Sequence, residues 1–306
     1  MTYAQLMNRA LELLDEEKPE EAYEFMKEEG PKAEYANPAQ VYNFTYCVAA
    51  ICGKTEEAMG LLKEAVYTKG YWYDYEYLME DEDLEPLRQM SEFATVANLC
   101  RERQEAAVAA AKPVLEEDGL EAGKPFLMVL HGDQQNAKLT APYWQAAKEA
   151  GCGLCFAQSS QIQVSDGYLW DDEEIAAAEI KSHWAAMEAK GMKDGILCGF
   201  SSGGRAAFYA AVSGAIAPKG LILMAPWLPE LDEWTEDLSK LKEAGTAVYL
   251  CCGDADEDCF EDTETLFEIL DDQGIDVDFN LVPDLDHDYP ENFDKILKDA
   301  LSFVRG

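Results

Sequence analysis

The sequence predicts a mainly parallel α/β sheet domain, covered by helices on both faces and preceded by an all-α domain. Residues 1–112 carry apolar positions at helical spacing and no run that reads as a strand. Residues 113–306 alternate apolar runs of strand length with amphipathic helical segments. At 306 residues the chain has room for both domains, and a 48% hydrophobic share supplies their cores.

In the first domain, residues 2–15 place Leu6, Ala10, Leu13 and Leu14 along one helix face. A Lys-Pro break follows, then a helix carrying Ala22, Phe25 and Met26. The pattern returns over residues 38–70. Val41, Phe44, Val48, Ile51 and Cys52 mark a third helix, and Gly53 turns the chain into a fourth with Ala58, Leu62 and Ala65. Ala22 and Ala58 hold like positions 36 residues apart, and small residues there let paired helices approach closely. The spacing resembles that of tetratricopeptide repeats, whose period is about 34 residues. That resemblance covers residues 1–70 and implies a surface able to hold a protein partner or a second copy of the chain. An unrelated four-helix packing fits the same pattern. Leu84, Leu87, Met90, Phe93 and Val96 extend the helical reading toward residue 111.

In the second domain the strand-like runs are Phe126–Leu130, Gly153–Ala157, Ile196–Phe200, Leu221–Ala225, Ala247–Cys251 and Val277–Val282. Helical segments fall between them, near 137–150, 172–190, 203–215, 232–244, 260–273 and 291–304. In parallel sheets of this kind, function gathers beyond the carboxyl ends of the strands.

At those ends stands a set of residues suited to nucleophilic catalysis. Gly199-Phe200-Ser201-Ser202-Gly203 is G-x-S-x-G between a strand and a helix, the context in which a strained turn lifts a serine above the sheet. A serine hydroxyl needs a base, and the base needs an orienting acid. Only three histidines are present. His183 lies within a helical run and reads as structural, whereas His131 ends a strand ahead of Ser201. His287 follows the last strand, where a loop can deliver it to Ser201. The acid falls in the loop after Cys252, where Asp254, Asp256 and Asp258 compete. The chain order Ser, Asp, His matches one of the three familiar triad orders.

With these pieces in view, residues 113–306 resemble the α/β-hydrolases of the phospholipase/carboxylesterase and dienelactone-hydrolase-like group. The matching segments are Leu130-His131-Gly132-Asp133, Ser159-Ser160-Gln161, Trp170-Asp171-Asp172, the Ser201 pentapeptide, Gly253-Asp254-Ala255-Asp256 and Asp286-His287-Asp288-Tyr289-Pro290. The resemblance implies Asp256 as the acid, with Ser201 and His287 completing a catalytic triad. It also implies an oxyanion hole from the backbone amides of Ser202 and Asp133. Gln134, Gln135, Trp170 and Trp227 are the candidate substrate contacts. The acidic Asp133 departs from the apolar residue usual after His-Gly. The short stretch after Ala225 leaves no room for a cap, so a roof would come from the helical domain or from residues 158–170. The implied activity is serine-dependent cleavage of a carboxylic ester. A thioesterase or small peptidase uses the same triad, and a non-catalytic binding scaffold is the alternative from another class.

The remaining composition narrows the partners. Against 24 Lys and Arg stand 61 Asp and Glu, a formal net charge of -37. Such a surface repels phosphate backbones and anionic lipid, so neither nucleic acid nor membrane is expected, and a small ester is. The opening residues lack the basic-then-apolar pattern of an export segment, and no stretch approaches the ~20 apolar residues of a membrane span. Nine cysteines, several within buried strand-like runs, fit a reducing cytoplasmic setting. Cys152 and Cys155 form an isolated C-x-x-C pair, so no metal and no cofactor is expected.

Overall fold

The computed structural model describes residues 1–306, the side chain of Glu236 excepted. It divides into two compact units, the first Met1–Ala111 with Ile162–Tyr168, the second Lys112–Gln161 with Leu169–Gly306.

The first unit is helical. α1 (Tyr3–Asp15) pairs with α2 (Pro19–Glu29), and α3 (Pro38–Ile51) pairs with α4 (Thr55–Lys63). Short α5 (Tyr75–Glu80) and α6 (Glu85–Arg88) lead to the long α7 (Phe93–Ala110). Local chemistry sets the starts. Thr2 and Gln5 form a reciprocal capping box ahead of α1, and Asn37 caps α3 with Pro38 at its first position. Ala22 and Ala58 are both fully buried, each on the second helix of its pair.

The second unit is built on a seven-stranded sheet. Its elements run β1 (Val114–Asp118), β2 (Pro125–Leu130), α8 (Ala137–Thr140) with a further helical stretch to Ala150, and β3 (Gly153–Gln158). After a hairpin of β4 (Gln161–Val164) and β5 (Gly167–Leu169) come α9 (Glu173–Ala189), β6 (Lys193–Phe200), α10 (Ser202–Val212) and β7 (Gly220–Met224). The chain closes with α11 (Leu231–Trp234), α12 (Ser239–Ala244), β8 (Ala247–Gly253), α13 (Phe260–Asp272), β9 (Val277–Val282) and α14 (Phe293–Arg305).

The strand order is β1-β3-β2-β6-β7-β8-β9, parallel except for the antiparallel edge strand β1. β2, β3, β6, β7 and β8 are almost wholly buried, which follows from helices covering both faces of a parallel sheet. One core layer gathers Met128, Leu197, Leu223 and Leu250 with α9, α10 and α13, and the other gathers Val129, Cys198, Ile222 and Cys251 with α14. From β2 the chain steps outward to β3, and from β6 it steps the opposite way to β7. The crevice where the order reverses therefore opens beyond the ends of β2 and β6, where the loops after Leu130 and Phe200 emerge.

Three features differ from the sequence reading. β1 and the β4–β5 hairpin are strands that it did not contain, and the hairpin tip, Ile162–Tyr168, belongs to the helical unit. There Ser165 accepts a hydrogen bond from the Trp72 amide at 2.7 Å, and its carbonyl accepts one from the Asn37 side chain at 2.8 Å. Among the described residues, no helix is long and apolar enough to cross a membrane.

Candidate active site

Ser201 lies between β6 and α10 with φ 53° and ψ -124°, a conformation costly for a residue with a Cβ. Two hydrogen bonds hold the turn: the Ser201 amide to the Met224 carbonyl (3.0 Å) and the Trp227 amide to the Ser201 carbonyl (3.3 Å). Two glycines make it sterically feasible. A Cβ on Gly199 would stand 2.2 Å from the Gly203 carbonyl oxygen, and one on Gly203 would stand 2.4 Å from that of His131. The G-x-S-x-G pattern thus records close backbone approach on both sides of the serine.

The Ser201 hydroxyl lies 3.0 Å from Nε2 of His287, and His287 Nδ1 lies 2.7 Å from Oδ2 of Asp256. Asp256 is 1% exposed, whereas Asp254 and Asp258 are exposed. The second oxygen of Asp256 accepts the Cys259 amide at 3.1 Å, fixing the carboxylate's orientation. Asp254 instead accepts the Asp284 amide at 2.7 Å, bracing the turn that leads to His287. The two loops are pressed together at Gly253, where any Cβ would meet the Leu285 carbonyl at 1.9 Å. The His287 ring also lies against Phe200, 4.8 Å between centroids.

The Ser202 amide, first in α10, and the Asp133 amide donate to no other protein group among the described residues. The positive end of the α10 dipole adds to any donor at that position. Asp133 keeps an exposed edge, yet its carboxyl is pushed up to about 6, first by desolvation and then by nearby Asp171.

Comparison with known proteins places this architecture. A family described as "A/B hydrolase-like, N-terminal domain" matches residues 2–108. No curated protein matches the sequence. A crystal structure of an uncharacterized protein from Bacillus cereus ATCC 10987 is 41% identical, with 99% of each chain covered and a TM-score of 0.58. The chain has the α/β-hydrolase fold. Esterase PE8 shares the fold at 17% identity, covering 63% of this chain and 99% of its own, with a TM-score of 0.52. The Bacillus cereus carboxylesterase does so at 19% identity, 63% and 95% coverage, and a TM-score of 0.50. The likeness of residues 1–70 to tetratricopeptide repeats remains one of spacing, since the matched N-terminal family carries a different description.

The remaining candidates are placed unequally. Gln135 braces the loop after β2, its amide donating to the Gly132 carbonyl at 3.2 Å and its side chain accepting weakly from the Gly132 amide at 3.4 Å. Gln134, beside it, holds the left-handed φ of 51°. Trp227 is 42% exposed and follows the strand that supports Ser201. Trp170 differs from the expectation of a substrate contact. It is 1% exposed, stacks on the His131 ring at 4.9 Å and donates its indole N–H to the His131 carbonyl at 2.9 Å. An aromatic of that size is more use here as a wedge behind the loop than as a wall. His131 is fully buried, and burial lowers it to about 4, so the ring is neutral. Its Nε2 accepts the Ser159 amide at 3.3 Å.

Two residues of the neighbourhood carry no motif. Arg205, one turn into α10, is buried and ion-paired to Glu173 (2.7 Å) and Glu230 (2.8 Å), and it donates to the Trp170 carbonyl at 3.1 Å. Its position four residues after Ser201, on an otherwise small and apolar helix face, was the available signal. Cys259 lies behind the base, its Sγ 3.7 Å from His287 Nδ1. Spacing alone gave no sign of it.

Proposed function

We propose that this α/β-hydrolase cleaves carboxylic esters through an acyl-enzyme on Ser201. The observation that carries the reading is the continuous hydrogen-bonded line Ser201–His287–Asp256, with its serine on a strained turn at the sheet's switch point. His287 Nε2 takes the hydroxyl proton as Ser201 Oγ attacks the ester carbonyl, and Asp256 holds the Nδ1–H and stabilises the imidazolium. The amides of Ser202 and Asp133 receive the oxyanion, a contribution of about 10²–10³ in turnover for each donor. His287 then returns the proton to the departing alcohol. Water repeats the sequence on the acyl-enzyme, with His287 again as base.

The test is covalent labelling with a fluorophosphonate probe, alongside turnover of p-nitrophenyl esters of increasing chain length. Wild type should label and hydrolyse, and Ser201→Ala should do neither while keeping its circular dichroism spectrum. Folded wild type that fails to label would overturn the reading in favour of a non-catalytic scaffold. Acyl thioesters run in parallel divide ester from thioester preference.

A further inference from the structure

The inner side of the base carries a ligand set that ester hydrolysis does not require. Cys259 Sγ, His287 Nδ1 and an Asp256 carboxylate oxygen all lie within 4.8 Å of one another. Cys259 and Asp256 are buried, and the Cys252 thiol sits 3.8 Å from the same Asp256 oxygen. Orienting the carboxylate uses the Cys259 amide, which any residue but proline supplies, so the thiol, whose own contact is with His287 Nδ1, is not needed to hold Asp256.

We propose that Cys259, His287 and Asp256 form an inhibitory site for a borderline or soft divalent cation, of which Zn²⁺ and Cd²⁺ are the simplest. Thiolate, imidazole and carboxylate together are a donor set that such ions prefer over Mg²⁺ or Ca²⁺. Tetrahedral zinc with Zn–S of about 2.3 Å and Zn–N of about 2.0 Å sets sulfur and nitrogen about 3.6 Å apart. The distance here is 3.7 Å. Nitrogen and oxygen ligands need about 3.3 Å between them by the same geometry. The 2.7 Å bond from His287 to Asp256 therefore has to open, and metal and acid compete for one nitrogen.

The consequence follows from the imidazole's single proton. In the metal-free triad, Nδ1 carries it and Nε2 offers a lone pair to Ser201. A cation taking the Nδ1 lone pair shifts that proton to Nε2 and releases the Cys259 thiol proton to solvent, one proton per metal bound. Nε2–H then donates to the Ser201 hydroxyl and cannot accept its proton. Burial, together with the Asp256 charge, pushes the Cys259 thiol up, so oxidation chemistry that needs a standing thiolate is disfavoured there.

The inhibition rests on the hydrolase reading, whereas the binding does not, and the experiment separates them. EDTA-treated full-length wild type, Ser201→Ala, Cys259→Ala and Cys259→Ser are titrated with Cd²⁺ while the thiolate-to-cadmium ultraviolet band is followed. Cys52→Ala, at a half-exposed thiol, controls for surface binding. Wild type, Ser201→Ala and Cys52→Ala should gain the band at one equivalent, and both Cys259 variants should lose it. Fluorophosphonate labelling of wild type should be blocked by Cd²⁺ and restored by EDTA. Loss of even an outer-shell metal partner costs about 10–100-fold in affinity, so each Cys259 variant should need at least about tenfold more Cd²⁺ for the same fractional block. An equal band or equal sensitivity in wild type and in a folded Cys259 variant would overturn the site. A Cys259-dependent band in a wild type that never labels would sustain the site and remove the hydrolase reading. Cys259→Ser keeps the side chain's shape, so one substitution that fails to fold does not remove the comparison.

Discussion

Asp256 and Asp254 stand two residues apart in one acidic loop and do different work because one is buried and the other is not. Asp256 has surrendered its hydration to face His287 and the Cys259 amide, while Asp254 braces the Asp284 turn from the surface. Asp256→Asn should therefore leave the fold intact and lower kcat by about 10⁴, because an amide favours the wrong imidazole tautomer. Asp254→Asn keeps an acceptor for the Asp284 amide, and Asp258→Asn lies at an exposed position, so both should stay near wild type. Steady-state kinetics on one activated ester compares all three. A crippled Asp254→Asn would move the acid by two residues. His131 supplies a second residue-scale test. Its folded value of about 4 lies below the ordinary 6.5, so the unfolded chain binds the extra proton between them. Stability contributed by the neutral ring is present above about pH 6.5 and lost as pH falls toward 4, by up to about 3 kcal/mol. Urea midpoints at pH 7 and 4.5 should separate strongly in wild type and less in His131→Asn. Asp133, shifted upward, acts in the opposite direction and is common to both proteins.

At the scale of elements, the site is held by helices and loops that meet around Arg205. Its guanidinium ties α10 to Glu173 at the start of α9, to Glu230 ahead of α11, and to the carbonyl of Trp170, which wedges His131 and the loop after β2. Removing the cation strands two partly buried carboxylates. Arg205→Met should cost about 3 kcal/mol in urea denaturation and lower kcat more than it raises KM, since the loop carrying the Asp133 amide loses its backing. A change in KM alone would place Arg205 outside this support. Legibility divides along the same lines. Interior strands such as β6 and β8 were readable because burial on both faces makes them continuous apolar runs. β1 was not, since Val-Leu-Glu-Glu-Asp at a sheet edge is half solvated and carries edge-strand charges. The glycines and the chain order point to Ser201, Asp256 and His287 from sequence alone, whereas the burial of Trp170 behind His131 has no signal there, because sequence cannot tell a wedge from a wall. Cys259 was invisible because His287 reaches it from 28 residues away.

For the whole molecule, a division at Lys112 cuts the chain where its pattern changes but not where its packing ends. Residues 113–306 contain Ser201, Asp256 and His287, so a shortened chain of these residues is expected to keep turnover of small activated esters. The segment Ile162–Tyr168 qualifies that expectation, because its partners lie in the helical unit. Ser165 is buried there, exchanging hydrogen bonds with the Trp72 backbone and accepting one from Asn37, while Ile162 packs on the helical core. Deleting residues 1–112 returns those groups to water and leaves β4 and β5 as an isolated two-stranded hairpin, marginal on its own. The shortened protein should retain the main sheet, show new protease cleavage within 162–168, and aggregate more readily than the full chain. Limited proteolysis with mass mapping of both proteins checks it. In the full-length chain, Ser165→Ala should cost about 1–3 kcal/mol, because the Trp72 amide is left buried without its acceptor. Equal protection of the hairpin tip in the long and short chains would mean that the excursion is held by the second unit alone.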